Sequence, residues 1–331
     1  MCKLLLELGA EVCGYALKPE KGETLFKLSG IEGKIKSIYG DIRDLDFFMG
    51  SVKDFRPDIM IHMAAQPIVR ESYKNPVDTY GTNVMGTVNM LEAVRRCSSI
   101  RSVVNVTTDK VYQNNEQEIG YCEDDVLNGY DPYSNSKSCS ELVTSSYSNS
   151  FLRDLGIGVS TCRAGNVLGG GDFAVDRIIP DCYAAVSSGK KIVVRNPDSV
   201  RPYQHVLDPV CAYLMVAHRQ YEDLSFAGAY NIGPDGKDNI KTGSLVEMFC
   251  RHWGNGSDWT VQREKDAPHE AKYLYLNCEK AKRILGWKPI WGIEDTIAYT
   301  VQWYQRFYAG DDMPKCMEAQ IGDFMKSGGQ V

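Results

Sequence analysis

Three runs, "PDIMIHMAA" (Pro57–Ala65), "IRSVVNVTT" (Ile100–Thr108) and "GVSTCRAG" (Gly158–Gly165), constrain this chain more than any other feature. They are β-rich and nearly continuously apolar, where a half-wet strand would alternate. Such strands have to be covered on both faces. Helical patterns separate them. "PVDTYGTNVMGTVNMLEAVRRC" (Pro76–Cys97) has proline at a helix start and apolar residues at Val84, Val88, Leu91 and Val94. "YSNSKSCSELVTSSYSNSFLRDLG" (Tyr133–Gly156) is a long helix closed by glycine. Two earlier runs also read as strands: "EVCGYAL" (Glu11–Leu17), short and buried, and "KIKSIYGDI" (Lys34–Ile42), ending at a Gly-Asp turn. Alternation of this kind predicts a parallel sheet wrapped by helices, a doubly wound α/β fold.

After Gly165 the pattern becomes irregular. Short strands ("KKIVVRN", "GAYNIG", "DWTVQ") mix with helices at Val246–Trp253, Glu279–Leu285 and Ile293–Tyr308. The expected division is a dinucleotide-binding domain over 1–165 and a smaller α+β substrate domain over 166–331, with part of 205–233 returning to the first. The final "SGGQV" is expected to fray. A net charge of −6 argues against a nucleic-acid footprint, which would be basic. No apolar run approaches a membrane span, and Glu7 and Glu11 interrupt anything resembling a signal peptide. Eleven cysteines without a CxxC pair fit reduced thiols in the cytoplasm, and five histidines without HxH or HxxxH spacing argue against a metal site.

The chemistry concentrates at predicted strand ends, where ligands bind in doubly wound sheets. Tyr133 and Lys137 stand at i and i+4 on one helix face, about 25 residues after "TTDK" (Thr107–Lys110). A free tyrosine is a poor base at neutral pH, and a neighbouring cation favours its phenolate. The plain alternative is a surface tyrosine and a solvated lysine. "HMAAQ" (His62–Gln66) ends another strand. Ala64 and Ala65 there either admit a flat ligand to the backbone or serve helix–strand packing. "LGGGD" (Leu168–Asp172) follows the sixth strand rather than the first, so it is not a dinucleotide loop; it is expected to line a ligand site where backbone passes close.

In order and spacing, "GDIRD" (Gly40–Asp44), "HMAAQP", "TNVMGT" (Thr82–Thr87), "TTDKVY", "YDPYSNSK" (Tyr130–Lys137), "RAGNVLGGGD" (Arg163–Asp172), "RNP…RPYQHV" (Arg195–Val206) and "PHEAKYL" (Pro268–Leu274) resemble an extended short-chain dehydrogenase/reductase of the nucleotide-sugar branch. The likeness runs over essentially the whole chain and is greatest to the CDP-glucose 4,6-dehydratases. Lys110, "GGGD" and "RPYQHV" carry that refinement, since dTDP-glucose dehydratases are expected to have Glu in place of Lys110.

The resemblance implies a Rossmann-like fold and removal of water from CDP-glucose. NAD oxidises C4 transiently, which makes the C5 hydrogen acidic; water leaves from C6 and the stored hydride returns there. It implies Tyr133 as the base at the C4 hydroxyl, Lys137 as its activating cation and ribose contact, and Thr108 as hydrogen-bond partner of the C4 oxygen. Asp109 would be the acid at C6, its pKa raised by burial, and Lys110 the base at C5, its pKa depressed. Cofactor contacts are expected at Asp41, Ile42, Ala64, Ala65, Gln66 and Asn83. Asp41 either meets adenine or caps the next helix. Substrate contacts are expected at Asn166, Arg195, Arg201 and His205, with His269 and Tyr273 open between nucleotide contact and ordinary packing. Each arginine is either a diphosphate ligand or a solvated charge. Lys18 either tolerates the extra phosphate of NADP or is a solvated loop residue; NAD is the expected cofactor. A nucleotide-sugar 4-epimerase or a non-catalytic binding member are the alternatives. A homodimer or homotetramer is expected, with Pro76–Cys97 and Tyr133–Gly156 forming a four-helix interface.

"MCKLLLELGAEVCGYAL" (Met1–Leu17) reads as a helix in progress, capped at Gly9, followed by the second strand of such a unit. By resemblance a strand and a GxxGxxG loop precede it. The expectation is therefore an N-terminally incomplete unit, a sheet lacking a central strand, and weak NAD binding.

Overall fold

A computed structural model describes the chain except for Glu20, Lys21, Glu23, Glu118 and residues 264–272. It begins with α1 (Cys2–Glu7), stopped by Gly9 in the left-handed region at φ 81°, and β1 (Cys13–Ala16). α2 (Leu25–Leu28) leads to β2 (Lys36–Tyr39), parallel to β1. The Asp44 carboxylate accepts the Phe47 N–H and so starts α3 (Leu45–Phe55), which leads to β3 (Ile59–His62). After α4 (Val69–Lys74), α5 (Pro76–Tyr80) passes through a π turn at Gly81–Met85 into α6 (Gly86–Arg95). β4 (Ser102–Val106), α7 (Pro132–Tyr147), a second π turn at Ser148–Leu152 and β5 (Gly158–Ala164) complete the first half.

The chain then makes β6 (Val167–Leu168), α8 (Ile178–Ser187), β7 (Ile192–Val194), β8 (Val200–Pro202) and β9 (Gln204–His205). It next returns to the main sheet. α9 (Leu207–Glu222) lies across β4, with Gln220 donating to Ser102 Oγ and the Val103 carbonyl, and β10 (Ala229–Ile232) pairs parallel with β5. β11 (Asn239–Lys241), α10 (Thr242–Trp253), β12 (Trp259–Val261), α11 (Glu279–Leu285), α12 (Ile293–Ala309) and α13 (Met313–Lys326) follow. The sequence pass did not pick out α8, α9 or α13.

The main sheet runs β10–β5–β4–β3, all parallel, and β1–β2 form a separate two-stranded sheet. Strand positions agree with the sequence, but burial differs. β4 and β5 are buried as expected, whereas Ile59 of β3 is 40% exposed and β1 is only half-buried. Both are edge strands, and an edge strand lacks a neighbour's side chains on one flank. No helix among the described residues is long and apolar enough to cross a membrane.

A Cβ on Gly170 would lie 2.0 Å from Trp303 Cγ, so the glycine loop packs closely against α12. The Tyr304 hydroxyl donates to the Asp172 carbonyl and fastens the same contact. Gly170→Ala should therefore lower unfolding free energy by ~1–3 kcal/mol through overpacking. Gly50→Ala, in open space within α3, should raise it by up to ~1 kcal/mol. Urea unfolding of the two variants tests the pair, and equal effects would contradict it.

Asp208, in the first turn of α9, is fully buried and accepts the Ile290 N–H at 2.7 Å. Burial pushes its carboxyl up to about 7 from the ordinary 3.8. The folded chain keeps this proton where the unfolded chain has released it. The resulting stability is complete below about pH 4 and is lost as pH rises through about 7, a change of roughly 4 kcal/mol. Asp208→Asn should flatten the decline in unfolding free energy between about pH 4 and 7, and an undiminished slope in that variant would exclude Asp208 as its source.

Candidate active site

α7 sets the first half of the site. The Asp131 carboxylate accepts from the Ser134 N–H, and Pro132 opens the helix with its φ already helical. Tyr133, Lys137 and Glu141 then fall at i, i+4 and i+8, all buried, on the side facing the ends of β4 and β5. The second half is the turn after β4. Thr108 Oγ1 donates to Asp109 Oδ1 at 3.0 Å, and Lys110 Nζ reaches the same oxygen at 2.9 Å. Lys110 Nζ also approaches Asn166 Oδ1 at 3.4 Å, and Asp109 Oδ2 is buried with no hydrogen-bond partner. Tyr133 bonds Thr108 through its side chain, so the two halves meet.

The charges differ from the simplest reading of a Tyr/Lys pair. Burial pushes Tyr133 up to about 12, against the Thr108 hydrogen bond and the positive charge of Arg177, which lower it. Burial also brings Lys137 down to about 8, while the Glu141 carboxylate acts in the opposite direction. Lys137 Nζ donates to the Val106 carbonyl at 3.1 Å. Beneath it lies a buried ion pair. Arg163 of β5 donates through Nε to Glu141 Oε1 at 3.0 Å and through Nη2 to Oε2 at 2.8 Å. Thr107 Oγ1 and Thr161 Oγ1 donate to the same carboxylate.

The expected cofactor residues divide into two groups. Ala64 and Ala65 follow β3 and are half-buried. Asn83, in the π turn, is a bracket: its Oδ1 accepts the Gln66 N–H at 2.7 Å, and its Nδ2 donates to the Gln66 carbonyl and Ser136 Oγ. Gln66 spends its own amide on Thr79 and the Ile68 N–H. Ile42 is buried, with Cγ2 2.8 Å from where a Cβ on Gly86 would stand. Asp41 does not cap α3; Asp44 does. Asp41 instead takes a forked contact from Arg43, whose hydrogen bonds hold its carboxyl below the usual range, and Arg43 also reaches Asp78.

The expected substrate residues are less concentrated. Asn166 meets Lys110, as above. Arg195 is ion-paired with Asp176 at 2.7 Å and stands 3.8 Å from Asp181, partly exposed. Arg201 is buried in β8 and donates to the Val200 carbonyl. His205 is buried against the Trp291 ring at 4.6 Å, its Nδ1 accepts the Leu207 N–H, and burial pushes it down to about 3. Its Nε2 is buried with no hydrogen-bond partner. Tyr273 is half-buried, with its carbonyl accepting from Asn114, and His269 lies outside the described residues. Sequence reasoning missed Glu141, Arg163 and Arg177 as parts of this region. Glu141 had a readable signal, the same i+4 step from Lys137 that links Lys137 to Tyr133. The other two depend on the neighbours that folding supplies.

The family model described as GDP-mannose 4,6 dehydratase matches residues 1–300. The CDP-glucose 4,6-dehydratase of Salmonella typhimurium is 44% identical over 329 residues, covering 98% of this chain and 91% of that protein. A dTDP-glucose 4,6-dehydratase of Xanthomonas campestris is 27% identical, covering 84% and 81%. In fold, the chain is similar to a UDP-glucose 4-epimerase of Thermotoga maritima, with TM-score 0.80, 18% identity and 92% and 94% coverage. It is likewise similar to a dTDP-glucose 4,6-dehydratase of Bacillus anthracis solved in complex with NAD, with TM-score 0.77, 23% identity and 92% of each chain covered.

The bracket role of Asn83 has a measurable consequence. Asn83→Ala leaves buried Gln66 and Ser136 groups without their partner and should cost ~1–3 kcal/mol in urea unfolding. A neutral substitution would show that these bonds are replaced by solvent.

Proposed function

The chain belongs to the GDP-mannose 4,6-dehydratase family, and from that premise we propose that it dehydrates CDP-D-glucose to the CDP-4-keto-6-deoxy sugar with NAD as a recycled cofactor. The observation that carries the reading is the Asp109–Lys110 pair, its carboxylate fully buried, beside Thr108 and Tyr133. An epimerase does not expel the C6 hydroxyl and has no need of such a pair. The 44% identity to a CDP-glucose 4,6-dehydratase supports the same reaction and nucleobase.

The residues fit the cofactor. Ala64 and Ala65 are small, follow a strand end and are half-buried, which suits close approach of a flat ring. Lys137 carries a buried ammonium with donors beyond the one given to Val106, which suits ribose hydroxyls. Asp41, Ile42, Gln66 and Asn83 are the further proposed cofactor contacts. When bound, NAD supplies a reversible oxidation at C4.

Tyr133 takes the proton of the C4 hydroxyl, with Thr108 bonded to the same oxygen and the charge of Arg177 opposing the rise that burial imposes. With C4 a ketone, Lys110 removes the proton at C5. Asp109 gives a proton to the C6 hydroxyl; the C6–O bond breaks, water leaves, and the C5–H electron pair becomes the C5=C6 bond. The pair needs one proton in total. In the ion pair it sits on Lys110, and transfer across the 2.9 Å contact to Asp109 Oδ1 gives the neutral acid and base that the elimination requires. After elimination the C5 proton sits on Lys110 and returns to C5 as C6 receives the hydride; the proton that Tyr133 took from the C4 hydroxyl then replaces, through Thr108, the one Asp109 gave to the departing water, which resets the pair. Asn166, beside Lys110, would orient the base.

Arg195, Arg201, His205, Tyr273 and His269 are the proposed nucleotide and diphosphate contacts, and Arg177 joins them as a further candidate. Self-association as a homodimer or homotetramer is proposed through α5–α6 and α7, whose outer faces expose Val77, Met85, Leu142 and Phe151.

Incubation with CDP-D-glucose and NAD tests the assignment: a 4-keto-6-deoxy product supports it, whereas a 4-epimer or no turnover opposes it. Lys110→Ala should slow exchange of the C5 hydrogen by ~10²–10⁴-fold, the range expected for loss of a general base. Full-rate exchange in that variant, followed by deuterium incorporation, would remove Lys110 from the mechanism.

A further inference from the structure

Arg195, just past the end of β7, already holds an anion supplied by the chain itself. Its Nη1 donates to Asp176 Oδ1 at 2.7 Å, and Asp181 Oδ2 stands 3.8 Å from its Nη2. We propose that Asp176 is an internal competitor for the Arg195 guanidinium, which an incoming diphosphate displaces, so that Asp176 sets the affinity for the nucleotide sugar. This rests on the reading of Arg195 as a diphosphate contact.

Asp176 lies in the turn that leads into α8. The Arg195 hydrogen bond holds its carboxyl below the usual range, and the charges of Arg70 and Lys74 on α4 act in the same direction. The next residue, Arg177, is near enough for its charge to act on Tyr133. Asp176 therefore places a negative charge among several cations close to the catalytic side chains, where a diphosphate would bring its own. Three features make the contact exchangeable. The two side chains are 34% and 31% exposed, so water screens the pair and its net worth is small. Asp176 offers one oxygen to one nitrogen, whereas a diphosphate offers several oxygens and more than one charge, which suits a guanidinium fork. Asp176 also sits at φ 62°, a left-handed conformation that is costly for a residue with a side chain, so release can relieve it. The Arg163–Glu141 pair has the opposite character. Its side chains are 4% and 3% exposed and the contact is forked, which fixes it in place.

The test is a double-mutant cycle on CDP binding, measured by titration calorimetry on the 331-residue chain with Asp176→Asn, Arg195→Gln and the two combined. Asparagine is at home in the left-handed region, so Asp176→Asn removes the charge and keeps the turn. The dissociation constant for CDP should fall about fivefold in Asp176→Asn and rise about tenfold in Arg195→Gln. In the combined variant it should equal that of Arg195→Gln, because the competitor has nothing left to compete for. Tightening of the same size in the Arg195→Gln background would show that Asp176 acts only through the general field, and overturns the proposal. Unchanged or weaker binding in Asp176→Asn also overturns it, and if Arg195→Gln is still weakened the reading of Arg195 as a diphosphate contact stands. A CDP affinity untouched by Arg195→Gln, or no CDP binding by any of the four chains, rejects that reading and the proposal together. The measurement needs neither NAD nor turnover, so failure to dehydrate CDP-D-glucose would reject the catalytic reading without touching this one.

Discussion

The ion pair between Glu141 and Arg163 fixes how α7 sits on the sheet. Taking two charges out of water is expensive, and a buried pair seldom adds much net stability. Its effect is specificity. If α7 rotated or slid by one turn, a carboxylate and a guanidinium would each be buried alone. Tyr133 and Lys137 ride on the same helix face and are therefore placed by the pair, two turns and one turn away from them. Arg163 extends the constraint. Its Nη1 donates to the Tyr112 hydroxyl and the Glu123 carbonyl, and Tyr112 donates in turn to Asn231 of β10. Asn231 then donates to the carbonyls of Tyr121 and Asn277. One arginine thus links α7, β5, β10 and two loops.

A second set of buried polar groups works in the same direction. Thr87 of α6 bonds Ser140 of α7, and Asn105 of β4 donates to Ser140 and Thr144. Asn83 adds Ser136, whose hydroxyl donates to the Tyr133 carbonyl. Hydroxyls and amides at a helix–sheet contact are directional where apolar packing is not. They convert a general tendency of helix to cover sheet into one arrangement, and that arrangement brings Tyr133 to Thr108.

Much of this was legible in the chain, and the parts that were not share a cause. The strands, the helix carrying Tyr133 and Lys137, and the turn carrying Thr108, Asp109 and Lys110 depend on local pattern and spacing. The half-exposed state of β1 and Ile59 depends on which strand lies beside them. The glycines of "LGGGD" looked like room for a ligand, and Trp303, some 130 residues onward, fills that room. His205 has the residue type of a binding group, and Trp291 encloses it. Arg195 and Asp41 are paired with charges from the folded chain, Asp176 and Arg43, rather than standing open.

The sequence by itself determined the doubly wound class, through apolar strands that must be covered twice, and the chemistry available at the strand ends, through Tyr133, Lys137 and the Asp109–Lys110 step. Those are properties of periodicity and of neighbouring residues, which a linear reading contains. Only the tertiary structure decided the electrostatics. That Lys137 is buried next to Glu141 and that Tyr133 is raised rather than lowered by its surroundings follow from desolvation and from partners distant in the chain. Both depend on the removal of water, which happens only when the chain closes on itself.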